Sequence, residues 1–307
     1  MNRLAGIIVA VVGLLIAVLS IMDIVPGLTQ PGIVLILLGG LIIGLSFVDK
    51  PDPEDVPRES TASTLTNIFF SPSEVFQNLR RHPRWFAAVL IMAALSATFT
   101  NLFMYRLTPE RVVNFTVDKT LAMPMLNDQA RAQIERDRQK TIDDTKNPVV
   151  KAGQAVSSFG TSVFGFAFLA AIFMLFALAM GGKINYWQAF SAAVYASFPV
   201  AVIRFILSTI ILFIKDPAEI HPILGQSTLV QDNLSFLVNS AENPVLYTLL
   251  ASISLLMFYW IWLNATGLKN AGERVSSSIG WTAALTIYLV LVALSVVLAL
   301  LFPSFIS

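Results

Sequence analysis

The chain of 307 residues contains no cysteine. That excludes disulfides, thiolate nucleophiles and cysteine-held zinc or iron–sulfur sites. Histidine is scarce too, with only His82 and His221. Charged residues make up 13% of the chain, against about 25% in soluble domains. None of the 19 acids lies within a central apolar segment, so proton relays and carboxylate ion sites lack the groups they need inside a membrane. Ion coupling through backbone carbonyls stays open. HExxH and P-loop patterns are missing, and no base is placed for intramembrane serine proteolysis. The net charge of +1 offers no basic surface for nucleic acid. The chain reads as a non-enzyme, with no catalytic, cofactor-binding or metal-binding residues and no cofactor.

What is abundant is apolar sequence, at 56% of residues with mean hydropathy +0.73. A helix crosses a bilayer with about 20 mostly apolar residues, and helices satisfy their own backbone there. Seven segments are expected to span: Leu4–Ile24, Ile33–Phe47, Trp85–Tyr105, Val156–Met180, Trp187–Ile214, Val245–Leu263 and Ile279–Phe302. The first is too long for a signal-peptide core, and "AVLS" within it is a poor cleavage site. It is read as retained, paired with the second in a transmembrane helical hairpin over residues 1–48. Gly40 and Gly44 in "GGLIIG" form a GxxxG, which reads either as a close helix contact or as ordinary glycine content. Residues 49–67 are rich in Pro, charge and Ser/Thr and read as a flexible cytoplasmic linker. The main domain follows over 68–307. Lys and Arg in the short loops place the N-terminus and linker in the cytoplasm and the C-terminus outside. The loop at 106–155 holds nine basic and seven acidic residues, but long loops weigh less in that rule.

The stretch "IFFSPSEVFQNLRRHPRW", Ile68–Trp85, reads as a basic amphipathic helix just before a span. Ser71 and Glu74 are placed for a capping box, with Pro72 at the first helical position and Phe70 with Val75 as a hydrophobic staple. Pro83 ends it. Val75, Phe76 and Leu79 share a face that would lie either on the cytoplasmic leaflet or on the bundle. Arg80, Arg81, Arg84 and Trp85 are the candidate lipid or partner contacts. The external loop contains "LNDQARAQIERDRQKTIDD", strongly helical in propensity, read as a solvated helical hairpin with a ligand-capping role as the rarer alternative. Residues 216–243 either lie along the outer surface or fold back among the helices.

Arg204 is an ionisable residue inside a span, a functional candidate by default. It sits roughly 15 Å from the outer end at Lys215 and acts as structural glue or as a lipid or substrate contact. In "GGKINYWQAFSAAVYASFPVAV", Gly181 and Gly182 end one span, and Asn185 with Gln188 forms a capping box for the next. Pro199 frees the Tyr195 carbonyl and kinks the helix.

Four stretches together resemble the Yip family, the Rab-interacting membrane proteins, in its bacterial branch. They are "FFSPSEVFQNLRRHPRW", "GGKINYWQAFSAAVYASFP", "NPVLYTLLASISLLMFYWIWLNATGL" and "GLKNAGERVSSSIGWTAALTIYLVLVAL". The resemblance covers about Ile68 to Phe302. It implies a bundle of five transmembrane helices with the N-terminus in the cytoplasm and the C-terminus outside. Eukaryotic members carry an Asp-Leu-Tyr-Gly-Pro stretch near the first span where this chain has "RRHPRW", so Rab binding does not transfer. The fold expected is an all-α integral membrane protein: the N-terminal hairpin, then a five-helix Yip-like bundle with a cytoplasmic interfacial helix, in a bacterial cytoplasmic membrane. The function expected is a non-enzymatic membrane organiser or adaptor that binds membrane lipids, forms a homo-oligomer or engages an unknown membrane or cytoplasmic protein. The alternative is a transporter or channel for a lipid or small apolar solute, with Arg204, Asn101 and Tyr195 lining one polar crevice.

Overall fold

The computed structural model describes residues 2–22, 24–49, 57–123 and 126–303. Among them the chain is helical, without strands. In order the helices are α1 (Asn2–Ile21), α2 (Thr29–Leu45), α3 (Thr61–Asn67), α4 (Pro72–Arg81), α5 (Phe86–Leu107), α6 (Pro109–Leu121), α7 (Asp128–Lys146), α8 (Pro148–Ala179), α9 (Tyr186–Ile214), α10 (Gly225–Thr228), α11 (Pro244–Ser252), α12 (Leu255–Ala271) and α13 (Ser277–Leu301). Five of them, α1, α5, α8, α9 and α13, are long and apolar enough to cross a membrane. α2 is apolar but has 17 residues.

The sixth expected span differs from the reading. It breaks into α11 and α12 around Ile253 and Ser254. The cause is a competing set of hydrogen bonds from the preceding loop. The Asp232 carboxylate accepts from the Ser254 hydroxyl at 2.5 Å and from the Leu256 N–H at 2.9 Å, capping α12. The Tyr288 hydroxyl donates to the Ser252 carbonyl at 3.1 Å. With both ends satisfied, the break leaves few orphaned backbone groups. α8 also starts earlier than expected, at Pro148 rather than Val156, because a proline suits the first helical position and the polar residues beside it do not end a helix.

The chain divides into two compact units, the first of residues 1–94, 149–201 and 260–285, the second of 95–148, 202–259 and 286–307. In the first, α1 and α2 meet backbone to backbone. A Cβ added at Gly39 would stand 2.5 Å from the Gly6 carbonyl oxygen, and one at Gly13 would stand 2.6 Å from the Ile36 nitrogen. Gly40 and Gly44 have nothing within 4 Å of such an atom, so the GxxxG pair is not the seam. The seam is Gly6 and Gly13 against Gly32 and Gly39, each pair seven residues apart, the spacing of a left-handed helix crossing. The hairpin also packs on α8, where Leu28 fills the space at Gly153 and Val34 the space at Gly160. It is therefore part of the first unit. Of the linker, residues 50–56 lie outside the described residues, and its end is ordered as α3, whose first turn is capped by Ser60 accepting from the Ser63 N–H.

In the second unit, α6 and α7 pair around Val113, Val117 and Ile142. Arg131 closes the turn between them by donating to the carbonyls of Leu121, Met123 and Leu126. Arg138 bridges Asp118 and Glu135, and Lys146 meets Glu110. The 216–243 segment partly folds back. Ile220 and Leu229 are buried with Phe103 and Leu212, while Phe236 and Leu237 stay exposed.

Candidate functional site

α4 is where the sequence placed its lipid or partner contacts. Its apolar face is sealed into the protein: Val75, Phe76 and Leu79 are all fully buried, worth about 1.5–3 kcal/mol each. The Phe76 ring lies against Gly267 of α12, where an added Cβ would meet it at 3.1 Å. Bundle packing, not a leaflet, takes this face. The start of α4 differs from the expectation as well. Ser71 makes no side-chain cap, because its N–H turns back to the Asn67 carbonyl at 2.7 Å and its backbone leaves the usual capping geometry. Phe70 is 80% exposed and so is not a staple.

The turn between α8 and α9 matches its sequence. Gly181 adopts φ +80. Its N–H reaches the Leu178 carbonyl, and the Gly182 N–H reaches that of Ala177, a Schellman closure. The capping box forms in both directions, since the Trp187 N–H donates to the Asn185 side chain at 2.9 Å and the Asn185 N–H donates to Gln188 at 2.8 Å. Gln188 then donates to the Arg80 carbonyl at 3.0 Å, satisfying the last turn of α4. The Lys183 carbonyl accepts from the Glu273 and Arg274 N–H groups, and its ammonium stands 2.7 Å from the Glu273 carboxylate. The hydrogen bond and charge of Lys183, with the charges of Arg80 and Arg81, hold the Glu273 carboxyl below its ordinary value. The end of α4 and the α8–α9 turn thus bring three cations near one acid.

Arg84 is built into the protein. It donates to the Glu59 carbonyl at 2.6 Å, the Thr64 hydroxyl at 2.6 Å and the Asn78 side chain at 3.1 Å, while its Nε is buried without an acceptor. Among the described residues no carboxylate lies within ion-pair distance of it. Burial lowers its pKa from the ordinary arginine value. Tyr195 opposes that shift, the Arg58 charge adds to it and Glu59 opposes it. Asn78 and Thr64 were not singled out in the sequence. The available signal was an amide at position 78 on the buried face of α4.

Beside Arg84 lies a cavity of about 620 Å³. Trp85, Trp187 and Phe190 form one wall, with Trp85 edge-on to Phe190 at 5.2 Å. Leu38, Ile42 and Leu45 of α2 form another, and Phe159 and Val163 of α8 close it. Arg58, Arg84 and Tyr195 supply polar lining. Of the three residues expected in one crevice, Tyr195 lines this cavity of the first unit, and Asn101 and Arg204 belong to the second unit. Asn101 is exposed and returns its amide to the Ala97 carbonyl. The Nε of Arg204 is buried without an acceptor. Below Pro199, the Ser197 hydroxyl accepts from the Trp260 indole at 3.0 Å.

With this geometry in place, comparison with known families decides the broader identity. The Yip1 domain matches residues 66–301. The chain belongs to the Yip1 family. No curated protein matches it, and no solved structure does. Yip1 family members are non-enzymatic membrane trafficking proteins, and this chain is an integral membrane protein with about five spans. The Yip1 match starts inside α3, so α1 and α2 lie outside it.

Proposed function

We propose that this Yip1 protein is a membrane organiser of the bacterial branch, held in the cytoplasmic membrane with its N-terminus inside and its C-terminus outside. Its cytoplasmic end binds the headgroups of anionic lipids. The observation that supports this is that Arg80, Arg81 and Lys183 all lie close enough to the Glu273 carboxylate to favour its charge, with Lys183 in contact with it. Each such cation near an anionic surface gains about 1 kcal/mol. Sealing the apolar face of α4 into the protein leaves these charges, and not an inserted helix, as the means of contact.

The test uses the full chain in nanodiscs of mixed phosphatidylglycerol and phosphatidylcholine. Lipids retained after detergent exchange are counted by class. The wild type enriches phosphatidylglycerol, and Arg80→Gln with Arg81→Gln reduces that enrichment several-fold. Equal enrichment in the double variant overturns the reading.

A further inference from the structure

We propose that the cavity beside Arg84 is a specific site for one anionic amphiphile, a molecule with a phosphate or carboxylate head and an acyl chain. It is separate from the basic headgroup surface of Arg80 and Arg81, and deepens the lipid-binding reading by naming a single site.

Three observations converge on it. The first is charge. Arg58 and Arg84 both line the cavity and are close enough for one to disfavour the other's charge. Three of Arg84's N–H donors are used by protein groups, and all three acceptors are neutral. Its Nε–H is buried with no acceptor. An arginine has five such donors, and an unpaired buried one is costly. Two guanidiniums with no carboxylate at ion-pair distance among the described residues, although Glu59 lies near enough to favour the charge of Arg84, are complementary to an anion.

The second is the lining. Away from the arginines the walls are leucine, isoleucine, valine and aromatic side chains. Leu38 to Leu45 runs along α2 for about 10 Å, an apolar track that part of an acyl chain can follow. The volume of about 620 Å³ lies within the range of small-molecule sites, about 300–1,000 Å³. A lining that combines two guanidiniums with apolar walls offers the two halves an amphiphile needs.

The third is construction. α2 supplies one wall, yet it lies outside the Yip1 match. The hairpin is held in place independently of any ligand, by its glycine seam and by Gly153 and Gly160 of α8. The wall is therefore rigid, and a preformed site binds at lower ordering cost.

Two sources carry this chemistry, a membrane phospholipid and a free fatty acid, and the experiment separates them. The purified full chain in neutral detergent is titrated with dioleoyl phosphatidylglycerol, with oleate and with dioleoyl phosphatidylcholine, and bound copies are counted by native mass spectrometry. One copy of phosphatidylglycerol or of oleate is expected to be retained, and phosphatidylcholine at least tenfold less well. Whichever anionic probe is retained at lower concentration identifies the source. Arg58→Gln, at an exposed position, weakens retention about tenfold. Leu41→Trp fills the cavity without removing a charge and abolishes it. Arg80→Gln with Arg81→Gln leaves the single copy in place, so loss of bulk enrichment in that variant and loss of the retained copy are scored separately. Retention unchanged in both Arg58→Gln and Leu41→Trp, or equal retention of phosphatidylcholine, overturns the proposal.

Discussion

The side chain of Gln188 donates to the backbone carbonyl of Arg80 at 3.0 Å, and its oxygen accepts the Asn185 N–H at 2.8 Å. One buried amide thus closes the start of α9 and the end of α4 together. Gln188→Ala removes both bonds and leaves two backbone groups without partners. A loss of about 1–3 kcal/mol follows, seen as a lower midpoint in thermal unfolding of the detergent-solubilised chain. A midpoint equal to wild type would show that the amide contributes nothing net.

The glycines divide into two classes by what surrounds them. An added Cβ at Gly182 would stand 2.8 Å from the Ala177 carbonyl oxygen, so Gly182→Ala must disturb the closure of α8. At Gly165 nothing lies within 4 Å. Gly165→Ala is expected to be neutral or slightly stabilising, since alanine favours the helix by about 1 kcal/mol. Comparing the unfolding midpoints of the two variants checks the contrast. The same experiment on Gly39→Ala and Gly40→Ala separates the true hairpin seam from its neighbour.

Asp232 tethers its loop to the break between α11 and α12. Asp232→Ala removes the acceptor for the Leu256 N–H and the Ser254 hydroxyl, with an expected cost of about 0.5–2 kcal/mol. Hydrogen exchange at residues 254–257 should quicken, with α13 unaffected. Unchanged exchange there would mean that the break stands without the cap.

His221 gives the second unit a dependence on pH. Its Nδ1 accepts from the Ile223 and Leu224 N–H groups, which requires the neutral ring. Burial first, and then the charge of Lys119, lower its pKa below the ordinary 6.5. The unfolded chain therefore takes up the proton more readily. The stabilisation is complete above about pH 6.5 and is lost as pH falls below that toward the lower folded value. Hydrogen exchange at residues 220–228 should speed up as pH falls below 6, after correction for the intrinsic rate. His221→Asn should flatten that response.

Much of the helix order could be read from hydropathy alone, because apolar runs of twenty residues have few alternatives. The closure at Gly181 and Gly182 and the box of Asn185 with Gln188 were also readable, since both depend on neighbours within five residues. The break at Ile253 was not, because its cause is an acid more than twenty residues upstream. The same holds for Ser71, where local capping chemistry was overridden by the preceding turn. Arg84 stands out in the sequence as a cation just before a span, but its hydrogen-bond partners do not. Its acceptors, Glu59 and Thr64, come from a stretch whose composition reads as linker.

The glycine seam of the hairpin has a consequence for assembly. Contacts between α1 and α2 are short-range along the chain, and the atoms nearest the seam glycines all belong to these two helices. These two helices can pair before α8 has been synthesised, and α8 then meets a finished surface at Gly153 and Gly160. The hairpin serves in that sequence as a template laid down ahead of the domain it supports.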